Sequence, residues 1–272
     1  MKKIIFLLLV FFLSCALRDE FDTQVYFILA GQLYSMNTDG GNMKRLTNDS
    51  NTYNSVSSSP CAEYIILSTS TKKIYTMRYD GENLAYLMDG RYPTYGPSGR
   101  IYFITGPSDN IIARYDPSNG STEYLYTVPS GNIYSLSCNR DETILVFYCW
   151  DGGPVYTAWM SLVTLGTPVV ITSSADCYCP SFSPNDERLL AFNLTPQYIR
   201  IVSLDNSFSN IYTGTTLSRR PAWTANGKHI YFADNSATTK AIKIMNSDGS
   251  DVRTIAEFSS AIDCFCIQGK PR

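Results

Sequence analysis

From Val25 onward, short runs alternate apolar with polar residues and are broken by turns containing Gly, Asp, Asn and Pro. Alternation at a period of two marks a strand, and Asp-Gly or Asn-Gly supplies the positive backbone angles that tight turns need. One phrase recurs. It reads Gln32-Leu33-Tyr34-Ser35-Met36-Asn37-Thr38-Asp39-Gly40, returns as Lys73-Ile74-Tyr75-Thr76-Met77-Arg78-Tyr79-Asp80-Gly81, and returns again as Ala241-Ile242-Lys243-Ile244-Met245-Asn246-Ser247-Asp248-Gly249. Looser copies run from Ile111 to Leu125, turning at Asp116-Pro117-Ser118-Asn119-Gly120, and from Tyr198 to Tyr212.

A second phrase precedes each copy. Cys179-Pro180-Ser181-Phe182-Ser183-Pro184-Asn185 leads into Leu189, Tyr92-Pro93-Thr94-Tyr95-Gly96-Pro97-Ser98-Gly99 into Ile101, and Arg220-Pro221-Ala222-Trp223-Thr224-Ala225-Asn226-Gly227 into Ile230. Weaker relatives run from Ser57 to Leu67 and from Ser135 to Phe147. With Pro60, Pro97, Cys138, Pro184 and Ala225 as anchors, the spacings are 37, 41, 46 and 41 residues. The longest is assigned to an insertion at Trp150-Asp151-Gly152-Gly153-Pro154. Periods of this length mean repeated supersecondary units.

The phrases resemble the TolB-type β-propeller repeat, with its Pro-x-aromatic-Ser-Pro-Asp-Gly core. Phe182-Ser183-Pro184-Asn185 is the nearest copy, and the resemblance covers nearly all of residues 25–272. Five complete repeats begin near residues 55, 92, 133, 179 and 220. Val25 to Thr47 lacks the first strand of a repeat, and Ala261 to Lys270 holds only a first strand and its turn. The expected fold is therefore all-β: a six-bladed β-propeller whose last blade is shared between the C-terminal strand and the N-terminal strands. Sharing a blade ties the ends together and leaves only short protected edges. TolB carries an α/β domain ahead of its propeller. Here about ten residues, Ala16 to Val25, stand in that place, so a bare propeller on a short tether is expected.

The start of the chain gives an address. Lys2 and Lys3 precede an apolar run from Ile4 to Leu13, too short for a bilayer span of roughly 20 residues but suited to a signal peptide. The run ends in Phe12-Leu13-Ser14-Cys15, which resembles the bacterial lipobox, with Phe12 where Leu is usual. The resemblance implies cleavage before Cys15 and its lipidation. Residues 1–14 are then the signal peptide, and 15–24 the lipidated Cys and tether. The protein would sit in the cell envelope on several acyl chains, which hold firmly where one is marginal. Ala16 rather than Asp after Cys15 leans towards the outer membrane.

Composition narrows the chemistry. Lys plus Arg number 22 against 24 for Asp plus Glu, so no basic excess points to nucleic acid. The one histidine, His229, is read as a solvated turn residue. The Asp-Gly turns lack the ligand spacing of a calcium loop, and no Gly-x-Ser-x-Gly elbow occurs. Cys177, Cys179, Cys264 and Cys266 have spacings open to a soft metal site, but buried small residues between sheets or a disulfide fit as well. No catalytic residue, metal or cofactor is assigned. Arg219, Arg220, Tyr92, Tyr178 and Trp150 are the candidate binding residues, all on or beside first strands or in the insertion. The expectation is a non-catalytic envelope lipoprotein that binds a partner protein. A carbohydrate- or peptide-binding channel mouth, or a hydrolase or lyase with channel carboxylates, are the alternatives.

Overall fold

The computed structural model describes residues 24–150, 155–172, 178–185, 188–194, 197–205, 207–213, 221–224, 226–235 and 240–268. The residues read as a signal peptide and tether, with Cys15, lie outside them, up to residue 23. Every helix or strand in this region is a β-strand. In chain order, β1 (Gln24–Leu29), β2 (Gln32–Asn37) and β3 (Lys44–Arg45) are followed by β4 (Tyr53–Ser58), β5 (Tyr64–Thr69), β6 (Lys73–Arg78) and β7 (Ala85–Asp89). Next come β8 (Arg91–Tyr95), β9 (Ile101–Thr105), β10 (Ile111–Asp116) and β11 (Ser121–Thr127), then β12 (Asn132–Cys138), β13 (Ile144–Trp150), β14 (Val155–Ser161) and β15 (Val169–Thr172). The chain ends with β16 (Tyr178–Phe182), β17 (Leu189–Leu194), β18 (Gln197–Val202), β19 (Phe208–Thr213), β20 (Ala222–Trp223), β21 (His229–Asn235), β22 (Lys240–Asn246), β23 (Arg253–Phe258) and β24 (Ile262–Gln268).

Among the described residues these strands form six four-stranded antiparallel sheets. Five are consecutive: β4–β7, β8–β11, β12–β15, β16–β19 and β20–β23, here sheets 2 to 6. Sheet 1 has the order β24-β1-β2-β3. Its register sets Tyr26 opposite Cys266 and Phe27 opposite Phe265, so the last strand completes a sheet begun by the first three.

Second strands are buried on both faces where their side chains are described, as in Val25–Ile28, Ile65–Thr69 and Leu145–Cys149. A radial sheet explains this, because its inner strands are sandwiched between two neighbours and read as continuous apolar runs. Six apolar clusters fill the spaces between adjacent sheets. Leu33 and Ile65 join sheets 1 and 2, Ile74 and Phe103 sheets 2 and 3, and Tyr102 and Phe147 sheets 3 and 4. Val146 and Phe182 join sheets 4 and 5, Ile201 and Phe232 sheets 5 and 6, and Tyr231 and Phe27 close the ring between sheets 6 and 1. The Tyr231 hydroxyl also donates to the Thr38 carbonyl at 2.9 Å.

The first-to-second turns share one geometry. Ser59, Asn139, Ser183 and Thr224 each donate their backbone N–H across the turn to the carbonyl of Tyr64, Ile144, Arg188 and His229. This equivalence corrects two readings. The residue matching Pro60 is Arg140 rather than Cys138, which trims the 46-residue spacing to 44, and the connection 162–168 between β14 and β15 is itself long. His229 opens β21 rather than sitting in the turn, its N–H bonded to Thr224 Oγ1 at 3.0 Å. The third-to-fourth turns are built on Asp. Asp39, Asp80, Asp116, Asp205 and Asp248 each accept the backbone N–H two residues on, at 2.9–3.0 Å.

Candidate functional site

The antiparallel order sorts the connections onto two faces. One face carries the Asp turns and the first-to-second turns. The other carries the second-to-third connections and the links into each innermost strand. On this second face Tyr53 N–H donates to the Gly31 carbonyl at 2.9 Å, tying sheet 2 to sheet 1, and Ser70 N–H to the Thr52 carbonyl at 2.9 Å, extending the β4–β5 pairing. The innermost strands β24, β4, β8, β12, β16 and β20 surround the axis, and this face is its mouth.

Near the mouth, five innermost strands gain an extra residue relative to their partners. The register skips Asn54 in β4, Tyr134 in β12 and Asp263 in β24. It shifts across Tyr92-Pro93 in β8 and Cys179-Pro180 in β16. These are β-bulges, which bend a strand and re-aim one side chain. Pro inside a strand pattern fits only at an edge or a bulge. Tyr92 and Cys179 accordingly have φ of 48° and 47°, left-handed conformations that are uncommon for such residues and often mark functional positions.

The bulges are linked. Tyr92 N–H donates to Ser68 Oγ at 3.2 Å, and Ser68 Oγ donates to Asn54 Oδ1 at 2.8 Å. Beside them, largely buried Asp109 holds Lys72 Nζ at 2.9 Å and Arg91 Nε at 3.5 Å, while Arg91 Nη2 donates to the Ser70 carbonyl at 2.9 Å. One carboxylate thus clamps cations from sheet 2 and from the start of β8. The Tyr134 ring lies 6.0 Å from that of Tyr148. Burial, then the neighbouring Tyr92 and Asp109, push the Tyr134 hydroxyl upward, so it stays protonated and can donate. The Ser135 hydroxyl next to it is buried with no hydrogen-bond partner among the described residues.

Of the residues proposed from sequence, Tyr92 lies in the bulge ring, its side chain half-buried against the core between sheets 3 and 4. Trp150 ends β13 on the same face, opposite Asn132 and Val155, and is 46% exposed. Tyr178 opens β16 opposite Phe192. Arg219, Arg220 and residues 151–154 of the insertion lie outside the described residues. Lys72, Arg91 and Asp109 were not anticipated, because they meet only when two separate connections fold together. Among the described residues no three His, Cys, Asp or Glu side chains converge as a metal site. Cys61, Cys138 and Cys179 are free thiols, and burial raises that of Cys138 to about 12.

The sequence matches no protein-family model and no curated relative. The fold does have solved counterparts. TolB from Acinetobacter baumannii aligns with a TM-score of 0.78 at 15% identity, covering 95% of this chain and 69% of that one. A putative TolB from Agrobacterium tumefaciens aligns with a TM-score of 0.71 at 12% identity, covering 89% and 91%. A chain of a nidogen/laminin complex aligns with a TM-score of 0.71 at 11% identity, covering 90% and 98%. The chain is thus a β-propeller of TolB-like architecture. At these identities the likeness is one of fold.

Proposed function

We propose that this protein is a bacterial cell-envelope lipoprotein, anchored through Cys15 to the outer membrane, whose propeller binds a partner protein at the mouth face. The observation that carries the reading is the series of bulges there. It sets Tyr92 and Tyr134 beside a charged clamp of Lys72, Arg91 and Asp109, on a scaffold rigid enough to hold them. Aromatic and Arg side chains are the usual anchors of protein interfaces. The fold likeness to TolB and to a chain of the nidogen/laminin complex is in keeping with a protein-binding role, and no cofactor is invoked.

The described residues begin on the face opposite the mouth. Gln24 pairs with Asn37 and Gln268 at the Asp-turn end of sheet 1. A lipid on Cys15 therefore tethers that end, and the intervening residues 16–23 reach at most roughly 30 Å. The mouth then looks away from the membrane.

Two measurements test the reading. Labelled palmitate should enter the wild-type protein in bacteria and not Cys15→Ser. A photo-crosslinking residue at Tyr92 should trap a discrete envelope protein, whereas one at exposed Asn119 on the other face should not. Equal trapping from both sites overturns the mouth as the interface, and glycan-induced thermal shifts without any protein crosslink favour a carbohydrate ligand.

A further inference from the structure

The outermost strand of each sheet has an unpaired edge, the place most open to addition of another strand. Five of these strands turn polar or charged residues outward: Lys44 and Arg45 in β3, Asp89 in β7, Glu123 in β11, Ser209 and Asn210 in β19, and Arg253 and Glu257 in β23. β15 differs. Its Val169 and Val170 are 50% and 53% exposed, and neighbours along a strand point to opposite faces. No charged residue occurs from Gly152 to Ala175.

The connection leading into β15 departs from the repeat in the same way. Where five sheets use an Asp turn, this one uses Ser161, whose Oγ accepts the N–H groups of Val163 and Thr164, each at 3.2 Å. Val163 is 73% exposed and Leu165 39%. Leu165 has φ of 48°, a strained conformation for a bulky residue. Exposed aliphatics, a strained leucine and an uncharged open edge thus coincide on the rim of sheet 4.

We propose that β15 is a docking edge for an extended segment of a partner protein, uncharged and rich in β-branched or aromatic residues, which adds to sheet 4 as a fifth strand. Area decides against a second copy of this chain. The four exposed side chains leave on the order of 350 Å² per chain, so two copies edge to edge would bury roughly 700 Å², short of the ~1,200 Å² at which stable interfaces begin. A single added strand needs less, because main-chain hydrogen bonds to the open edge supply affinity and alternate side chains set specificity. A charged segment is disfavoured, since a charge laid on Val169 or Val170 would lose water and gain no partner. This edge is separate from the mouth, and its use does not depend on what binds there.

The test is a selection of random heptapeptides displayed on phage against the purified protein. The selected peptides should be uncharged and rich in Val, Ile, Thr, Tyr or Phe. They should bind Val170→Lys at least tenfold more weakly and the exposed-turn variant Asn119→Ala unchanged. On the wild-type protein, a selected peptide should slow amide exchange at Val169–Thr172, a readout that stands even if Val170→Lys folds poorly. Unchanged binding to a folded Val170→Lys, protection confined to the mouth, or a protein that sediments as a dimer through this edge would each overturn the proposal.

Discussion

Single glycines show how closely neighbouring sheets approach. Gly249 has φ of 88°, and a β-carbon there would lie 2.0 Å from the Ile211 carbonyl oxygen of the preceding sheet. Gly40 meets Ile255 in the same way, at 2.2 Å. The glycine of the Asp-Gly phrase thus serves both a turn and an inter-sheet contact. Gly120 has φ of 73° with open space around it. Gly249→Ala should therefore cost about 3 kcal/mol or more, through backbone displacement added to the left-handed penalty, while Gly120→Ala should cost only about 1–2 kcal/mol. Denaturant melts of the two variants compare these directly. Ala30 offers the converse. It is exposed at φ of 50°, followed by Gly31 at φ of 76°, in the two-residue turn joining β1 and β2. Ala30→Asn creates the favoured Asn-Gly turn and should stabilise by about 0.5–1 kcal/mol, read as a rise in melting temperature of a few degrees at most.

At the scale of elements, the Asp turns link sequence to pH response. Hydrogen bonds from Ser118, Ser207 and Ser250 hold the carboxyls of Asp116, Asp205 and Asp248 below their ordinary 3.8. A carboxyl lowered in the fold contributes stability that is present above the unfolded value and is lost as pH falls through the folded value. Melting temperature should respond little to these turns between pH 7 and 5 and should fall below about pH 4. Replacing the three Asp by Asn keeps an acceptor for the turn but removes the titration, so the acid limb should become shallower. A limb of unchanged slope would assign the loss to other carboxyls. These turns were legible in the sequence because the phrase repeats itself. The bulges were not, because an extra residue is defined only against the strand opposite, although Pro93 and Pro180 inside strand patterns were a signal. The third anchor failed for a related reason. With no Pro after Ser137-Cys138, only the cap made by Asn139 Oδ1, which accepts the N–H groups of Thr143 and Ile144 at 2.9 Å, fixes the register.

At the scale of the molecule, stability depends on closure. β24 is the innermost strand of sheet 1, and its removal would strip β1 of a partner from Gln24 to Leu29. It would also open the core between sheets 6 and 1, where Ile262 is fully buried and exchanges hydrogen bonds with Asn235, both at 3.1 Å. Burying one Ile is worth roughly 1.5–3 kcal/mol, and the newly exposed flanks of Val25 and Phe27 add to that loss. The total approaches the ~5–15 kcal/mol by which a folded protein is stable at all. A ring cannot confine such a loss to one end, because each sheet is held by both neighbours. Deleting residues 262–272 should therefore abolish a single sharp thermal transition, as followed by circular dichroism, rather than fray one edge. A peptide of residues 262–268 in excess should restore part of that transition by binding the open sheet. A deletion that melts like the intact chain would mean that the contacts among the other sheets suffice to hold the ring.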